Sequence, residues 1–417
     1  MKRLNGLHDR ICTLQNIEEA DKNARKGKHN WGIIKHDQHV KEDNEKLLET
    51  LETLSYTTSE YSKYKIYEPK ERIIFRLPYY PDRIAQWAIM NVMEPIWTAS
   101  FIGHTYSCIK ERGIHKLAQD VKKALITDAE GTIYCLKIDV RKFYPSINHR
   151  TMKRLLRRKI KDEKLLVILD EIVDSAEGVP IGNYLSQFFA NLYLTYFDHW
   201  LLEHVGIKHY FRYADDIVIL SDSRESLEKI LILIKTYFSC ELQIKIKPNY
   251  QIFKIEDRGI DFAGYVFFHT HTKLRKNIKQ RLFKLVNKFI SGKITEEGFR
   301  KRITSYFGWL KYCDSKHLLQ KIEEETDIHL SNWNGEKSII SNFYDKTVRV
   351  IEVIEYSSYF QVHFIYKNKP YSINSRNKAL HEKLKSKQYP VNFKIRKYVR
   401  AKENWFKYST CYYWKSW

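Results

Sequence analysis

Three carboxylates stand out in a basic chain. Asp139 ends the apolar run CLKID, and Asp215–Asp216 interrupt FRYADDIVIL between two strand-forming stretches. An acidic pair set between strands, with no cation beside it, suffers like-charge repulsion next to a buried sheet. A divalent metal removes that repulsion. Carboxylates from two adjacent strands can hold two Mg²⁺ ions (Mn²⁺ being the alternative), which clamp the attacking and leaving oxygens of an in-line phosphoryl displacement. Taken alone, an Asp-Asp dipeptide is more often a turn cap. Three neighbours weigh against that here: Tyr213 two residues before the pair, Phe143–Tyr144 after the Asp139 strand, and the Gly/Pro turn GVPIG at 178–182.

Periodicity outlines the elements that must position these groups. KEDNEKLLETLETL (41–54) repeats leucine at helical spacing, and residues 1–60 read as mostly helical. YKIYEPKERIIFRLPYYPDR alternates about a Glu-Pro-Lys-Glu centre, which predicts a hairpin with Lys70 and Arg72 at or near its tip. A buried helix (83–97) follows, then the strand ending at Asp139. Residues 149–175 read as one long amphipathic helix, and 178–205 as a turn feeding an apolar helix. The pattern then gives a hairpin with a charged tip (209–223), a helix (224–238) and strands at 242–255 and 260–268. This succession predicts an α+β sheet domain with helices packed on one face.

Composition limits the partners. Lys and Arg number 72 against 50 Asp and Glu, a net charge of +22, and aromatics reach 14%. Phosphates pair with the cations and bases stack on the rings, so nucleic acid is the expected polyanion. The remaining alternatives are a merely soluble basic protein and one resting on anionic lipid. Six scattered cysteines without a CxxC pair suit a reducing cytoplasm better than a zinc site or a disulfide framework. The N-terminus lacks an apolar signal core and no window has membrane-span length, so the expected location is cytoplasmic, with no membrane partner.

From about residue 270 the composition shifts. Residues 274–312 are helical and basic, SNWNGEKS reads as a connector, and 343–366 alternates as antiparallel strands do. The tail from Arg376 carries twelve Lys or Arg against Glu382 and Glu403, interleaved with Tyr389, Phe393, Tyr398, Trp405, Phe406 and Tyr408. Two readings of the tail stand side by side, an RNA-binding surface and a small β domain with solvated charges.

Across about residues 60–320 the sequence resembles the reverse transcriptases, with the motifs in the family's order. YADD at 213–216 is similar to the metal-binding hairpin, and LKIDVRKFYPSI to the strand bearing the other metal aspartate. The resemblance implies a right-hand polymerase: an N-terminal helical extension (1–60), fingers and palm (61–270), a helical thumb (271–330) and a basic, aromatic-rich, β-containing domain (331–417). It implies that Asp139, Asp215, Asp216 and the Val140 carbonyl hold two Mg²⁺, and that Tyr144 sits under the nucleotide sugar, a plain core aromatic being the alternative.

KERIIFRLPYYPDRIAQ and YSCIKERGIH resemble fingers segments. By that match Arg72, Arg76 and Arg112 are candidates to neutralise the incoming triphosphate, or are solvated surface charges; Ile109 stands where many relatives have arginine. IDFAGYVFF resembles the primer-gripping hairpin, making Tyr213, Gly264 and Tyr265 primer or template contacts. IKIKPNYQIF departs from the usual lysine-threonine, and Lys247 receives no catalytic role.

GVPIGNYLSQFF departs most informatively. Many reverse transcriptases have Gln-Gly and Ser-Pro where this chain has Ile181-Gly182 and Ser186-Gln187. IGNYLSQ fits the (Ile/Val/Leu)-Gly-x-x-x-Ser-Gln signature of diversity-generating retroelement enzymes. Ile181, Gly182 and Gln187 are thereby nucleotide-site candidates. An isoleucine offers no hydrogen bond near the sugar, so mismatched geometries lose less on binding; the alternative is that Ile181 only packs beneath the helix. The resemblance further implies template RNA, an RNA/cDNA duplex, dNTPs and a small basic accessory protein as partners, and error-prone, adenine-directed cDNA synthesis. Alternatives are a phage-defence reverse transcriptase and a non-catalytic RNA-binding protein on a polymerase scaffold.

Overall fold

In the computed structural model, residues 3–28, 31–67 and 71–328 are described, together with strands at 347–355, 360–366, 369–375, 391–400 and 409–416. Lys70, the connector at 331–338, and Tyr389, Trp405, Phe406 and Tyr408 of the tail lie outside the described residues. The chain divides into two units: residues 1–282 with Gly308–Asp314, and Phe283–Phe307 with Ser315–Trp417.

Four helices lead the first unit: α1 (His8–Ile11), α2 (Leu14–Ala24), α3 (Trp31–His36) and α4 (Val40–Glu52). The expected hairpin forms from β1 (Ser62–Ile66) and β2 (Arg72–Arg76), antiparallel, with Ser62 opposite Arg76. Helices α5 (Ile84–Thr98) and α6 (Ile114–Thr127) precede β3 (Tyr134–Asp139) and the single turn α7 (Phe143–Ser146).

The helix expected over 149–175 is two helices, α8 (His149–Lys159) and α9 (Glu163–Asp174). The break has a physical cause. Ile160 is extended, and the Asp162 carboxylate caps α9 by accepting from the Leu165 amide. Its other oxygen accepts from the Leu7 and His8 amides, 155 and 154 residues away.

Helix α10 (Tyr184–Glu203) leads to β4 (His209–Tyr213), β5 (Asp216–Ser221) and α11 (Arg224–Tyr237). The strand expected over 242–255 is shorter, β6 (Gln251–Lys254), because residues 238–242 continue the helical winding and only Ile246 bridges to Val140. The short α12 (Ile255–Arg258) then leads into a separate antiparallel sheet of β7 (Ile260–Phe262), β8 (Tyr265–Phe267) and β9 (Thr272–Leu274). His269–His271 turn from β8 into β9.

The main sheet runs β4-β5-β3-β6, all antiparallel. Helix α11 packs on β3, β5 and β6. Helix α10 is apolar around most of its circumference and contacts α5 and α8. Trp97, Phe188, Phe189, Tyr193 and Phe197 are buried there, so the sheet's edge carboxylates rest on a rigid aromatic core.

Helix α13 (Lys276–Ile290) begins in the first unit, whereas α14 (Glu296–Leu310) and α15 (Lys316–Thr326) belong mainly to the second. The second unit also holds a five-stranded antiparallel sheet, β10 (Thr347–Glu355), β11 (Phe360–Tyr366), β12 (Lys369–Ser375), β13 (Val391–Arg400) and β14 (Ser409–Ser416), ordered β12-β11-β10-β13-β14. The tail therefore supplies two neighbouring strands of a β domain. Among the described residues, no helix is long and apolar enough to cross a membrane.

Candidate active site

Strand pairing brings the predicted carboxylates together. Asp139 lies opposite Asp216 across β3–β5, and Asp216 lies opposite Tyr213 across β5–β4. Ala214 and Asp215 form the two-residue hairpin loop between them. Ala214 takes φ +54°, a conformation that alanine adopts at a cost. Its carbonyl accepts from Arg212 Nη1 at 3.1 Å, which holds the strained tip in place.

Val140 follows Asp139. The bonds Lys247 N–H to Asp139 carbonyl and Arg141 N–H to Lys245 carbonyl flank it, so its own carbonyl is not spent on the 245–247 segment. That leaves the Val140 oxygen on the side of the aspartates.

The electrostatics are those of an acidic cluster in a half-buried place. Burial first, and Asp139 second, push the Asp215 carboxyl up to about 6. Burial also raises Asp216 to about 7; Lys137 opposes the shift, and Asp139 and Asp215 add to it. Two lysines answer the charge. Lys247 Nζ lies 2.5 Å from Asp139 Oδ2, and Lys137 Nζ 3.7 Å from Asp216 Oδ2. The other oxygens, Asp139 Oδ1 and Asp216 Oδ1, are buried without a hydrogen-bond partner.

Among the described residues no group of three or more His, Cys, Asp or Glu converges as a ready metal cage. Asp139 is instead paired with Lys247, and Asp216 with Lys137. The donor set nevertheless fits a hard divalent cation, since two carboxylates in strand register each keep a buried oxygen without a partner.

Tyr144 is half-buried on α7. Burial first, then Cys108 and Asp215, raise its hydroxyl pKa, while Arg72 opposes the shift; Tyr144, Asp215 and Arg72 are thus electrostatic neighbours. Its carbonyl accepts from the Val179 amide, and a Cβ on Gly178 would come within 2.5 Å of that carbonyl oxygen. The GVPIG turn is seated directly on the Tyr144 backbone. On its other side the Ile181 carbonyl accepts from the Phe75 amide of β2 at 2.8 Å, and a Cβ on Gly182 would lie 2.6 Å from the Phe75 oxygen. Gln187 is half-buried one helical turn beyond Asn183.

The three candidate arginines are spread out. Arg72 lies near Tyr144, whereas Arg76, at the other end of β2, lies close enough to Arg83 to act on its titration. Arg112 donates from Nη1 to the Ile102 carbonyl at 2.8 Å, stapling its own loop.

Two expected primer contacts need correction. Tyr265 is fully buried, and its hydroxyl donates to the Trp309 carbonyl at 3.2 Å. Gly264 takes φ +94°, but the close approach it permits is to the Trp309 ring. Both residues dock the 308–314 segment onto β8 and are covered by protein. Tyr213 remains half-buried beside the carboxylates.

Lys137 and Arg212 were passed over from sequence, and Lys247 was weighed there but given no role. Lys137 had a signal, since its two-residue spacing from Asp139 puts both on one face of β3. Arg212 had none, because its partners depend on pairing between distant segments.

Residues 67–267, the stretch holding the carboxylates, the turn and the carboxylate hairpin, match the family model described as reverse transcriptase (RNA-dependent DNA polymerase). Among characterised proteins, Protein YkfC of Escherichia coli (strain K12) is 30% identical over 155 residues, which cover 33% of this chain and 40% of that protein. The group II intron-encoded protein LtrA of Lactococcus lactis subsp. cremoris is 23% identical over 138 residues, covering 30% of this chain and 22% of that protein. The matched part thus spans less than half the length of either relative. Among solved structures, apo telomerase from Candida tropicalis has a TM-score of 0.42 at 12% identity, covering 65% of this chain and 62% of that one.

Proposed function

We propose that the chain is an RNA-directed DNA polymerase that extends a primer along a template RNA by two-metal nucleotidyl transfer. One observation carries the reading: Asp139 and Asp216 face each other in strand register, each with a buried carboxylate oxygen that lacks a partner. Asp139, Asp215, Asp216 and the Val140 carbonyl would hold two Mg²⁺. Bound there, the metals would lower the pKa of the primer 3′-hydroxyl and neutralise the departing pyrophosphate. Tyr144 closes the floor under the sugar, with Arg72 nearby for the triphosphate. Lys247 and Lys137 neutralise the cluster in the metal-free protein. The test is incorporation of labelled dNTP on a primed RNA with Mg²⁺. Wild type should extend the primer, whereas Asp215→Asn with Asp216→Asn should bind the primed RNA and extend nothing.

Within that activity we place the chain with the diversity-generating enzymes, on the strength of Ile181-Gly182 and Ser186-Gln187. Absence of a hydrogen-bonding side chain at 181 relaxes selection against mispairs, above all opposite template adenine. A small basic accessory protein completes the assembly. Sequencing cDNA from Ile181→Gln tests the fidelity reading: adenine-directed errors should fall, and an unchanged spectrum would refute it.

A further inference from the structure

Away from the carboxylates, a second charged site lies between the leading helices and the fingers hairpin. A cavity of about 530 Å³ is lined by residues that include Lys35, Tyr79, Tyr80, Arg76 and Arg83. A smaller one of about 210 Å³ shares Arg76 and Arg83 and extends to Gly182 and Asn183. The two therefore form one track, leading from the GVPIG turn beside Tyr144 to helix α3.

The cations on this track are unsatisfied. Nearby Arg25 is paired with Asp21 and Asp37, and His36 with Asp43. Arg76 and Arg83, by contrast, have no ion pair among the described residues; nor has Lys28, which lines neither cavity but feels the Arg83 charge. Of the carboxylates on the wall, Asp43 is engaged by His36, and no ion pair links Glu60 to either arginine. Arg83 is half-buried at the N-cap of α5, where the helix dipole disfavours a cation. Burial first, with Arg76 adding to it, lowers the Arg83 pKa; burial and Arg83 do the same to Lys28. Arg83 thus bears burial, the repulsion of two neighbouring cations and a helix dipole together, and one kind of ligand relieves all three, an anion.

We propose that this cleft binds the phosphodiester backbone of single-stranded nucleic acid, with phosphates on Arg76 and Arg83 and the strand running towards the Gly182 turn. Two adjoining cavities that share Arg76 and Arg83 favour a polymer over a free phosphate. The choice of a polynucleotide rests on the polymerase reading; the demand for an anion does not.

The test is fluorescence anisotropy with a fluorescein-labelled twelve-nucleotide oligouridylate in EDTA, across a salt series. Arg76→Gln with Arg83→Gln should weaken binding about tenfold and make the log–log salt slope shallower by about 1.4, two phosphates at about 0.7 each. A blunt RNA–DNA duplex should lose less than about twofold. Arg76→Gln alone alters an exposed side chain on β2, which guards against misfolding, and should give about half the change in slope. Unchanged binding of the oligonucleotide by both variants overturns the proposal. So does an equal loss on the blunt duplex, which would assign the arginines to duplex. So does inorganic triphosphate competing with wild-type oligonucleotide binding while the variants lose only triphosphate affinity. Because binding is read without metal or dNTP, failure of the polymerase reading would appear separately, as absence of extension by wild type.

Discussion

Arg212 and Asp198 form an ion pair at 2.5 Å in which neither side chain has any solvent exposure. The same guanidinium donates to Asn191 Oδ1 and to the Ala214 carbonyl, both at 3.1 Å. Helix α10 thereby grips the tip of the carboxylate hairpin from below. Tyr210 adds its hydroxyl to Asp198 at 2.5 Å, so the carboxylate is multiply bonded. Removing one partner of such a pair leaves a buried charge uncompensated, which costs about 3–5 kcal/mol. Asp198→Asn should lose stability of that order in urea denaturation. The folded fraction should extend a primer more slowly at unchanged affinity for primed RNA, because the carbonyl clamp on Ala214 is disturbed. A loss under about 1 kcal/mol would show that the pair does not brace the hairpin.

The carboxylates should show the opposite relation between stability and activity. Burial and two neighbouring aspartates oppose the charge on Asp216, with Lys137 and Arg275 in its favour. Asp216→Asn removes that repulsion while retaining shape. In EDTA the variant should melt about 2 °C above wild type, the shift expected of a stabilisation below about 1 kcal/mol in a unit this large. Its primer extension should fall below detection. A variant less stable than wild type in EDTA would contradict the electrostatic account of the cluster.

Gly182 makes a different prediction. Its φ of +125° is closed to side-chain-bearing residues, and a Cβ would also meet the Phe75 oxygen at 2.6 Å. Gly182→Ala should cost about 1–3 kcal/mol and separate the turn from β2, slowing extension far more than Ile181→Gln does. Comparing the melting curves and extension rates of the two variants checks this, since Ile181 joins β2 through its backbone carbonyl, which glutamine retains.

The leading helices should carry a pH dependence. His36 is buried between Asp21 and Asp43, with Nδ1 at 2.7 Å from Asp43 Oδ2. Burial works against its charge, but the hydrogen bonds and charges of the two aspartates outweigh it and raise the pKa above the usual 6.5. A raised histidine pKa stabilises fully below the unfolded value and ceases to do so as pH rises through the folded value. Wild type should therefore lose melting temperature relative to His36→Gln as pH rises above 6.5. A constant difference between the two across pH 5.5–8.5 would show that His36 is not charged in the fold.

What could be read from sequence was local. The run FRYADDIVIL carries its own hairpin, and alternation in CLKID puts Asp139 at a strand end, so the three aspartates were legible together. The β1–β2 hairpin and the strands β10 and β11 were legible for the same reason. The break at Ile160 was not, because it depends on Asp162 meeting amides some 155 residues earlier. Tyr265 was expected as a contact residue because IDFAGYVFF resembles the primer-gripping hairpin; the segment that buries it, 308–314, returns only after another helix. Arg72 and Arg76 look equivalent in sequence, yet opposite ends of one strand send them to different neighbours.

The clasp at Asp162 also bears on how the protein is made. Leu7 and His8 emerge from the ribosome long before the carboxylate that receives their amides. At about 5–20 residues per second, the gap of 155 residues corresponds to roughly 8–30 s. During that interval the first turn of the chain has no native partner for those two donors. Synthesis must therefore pass the break between α8 and α9 before Leu7 and His8 can be fastened.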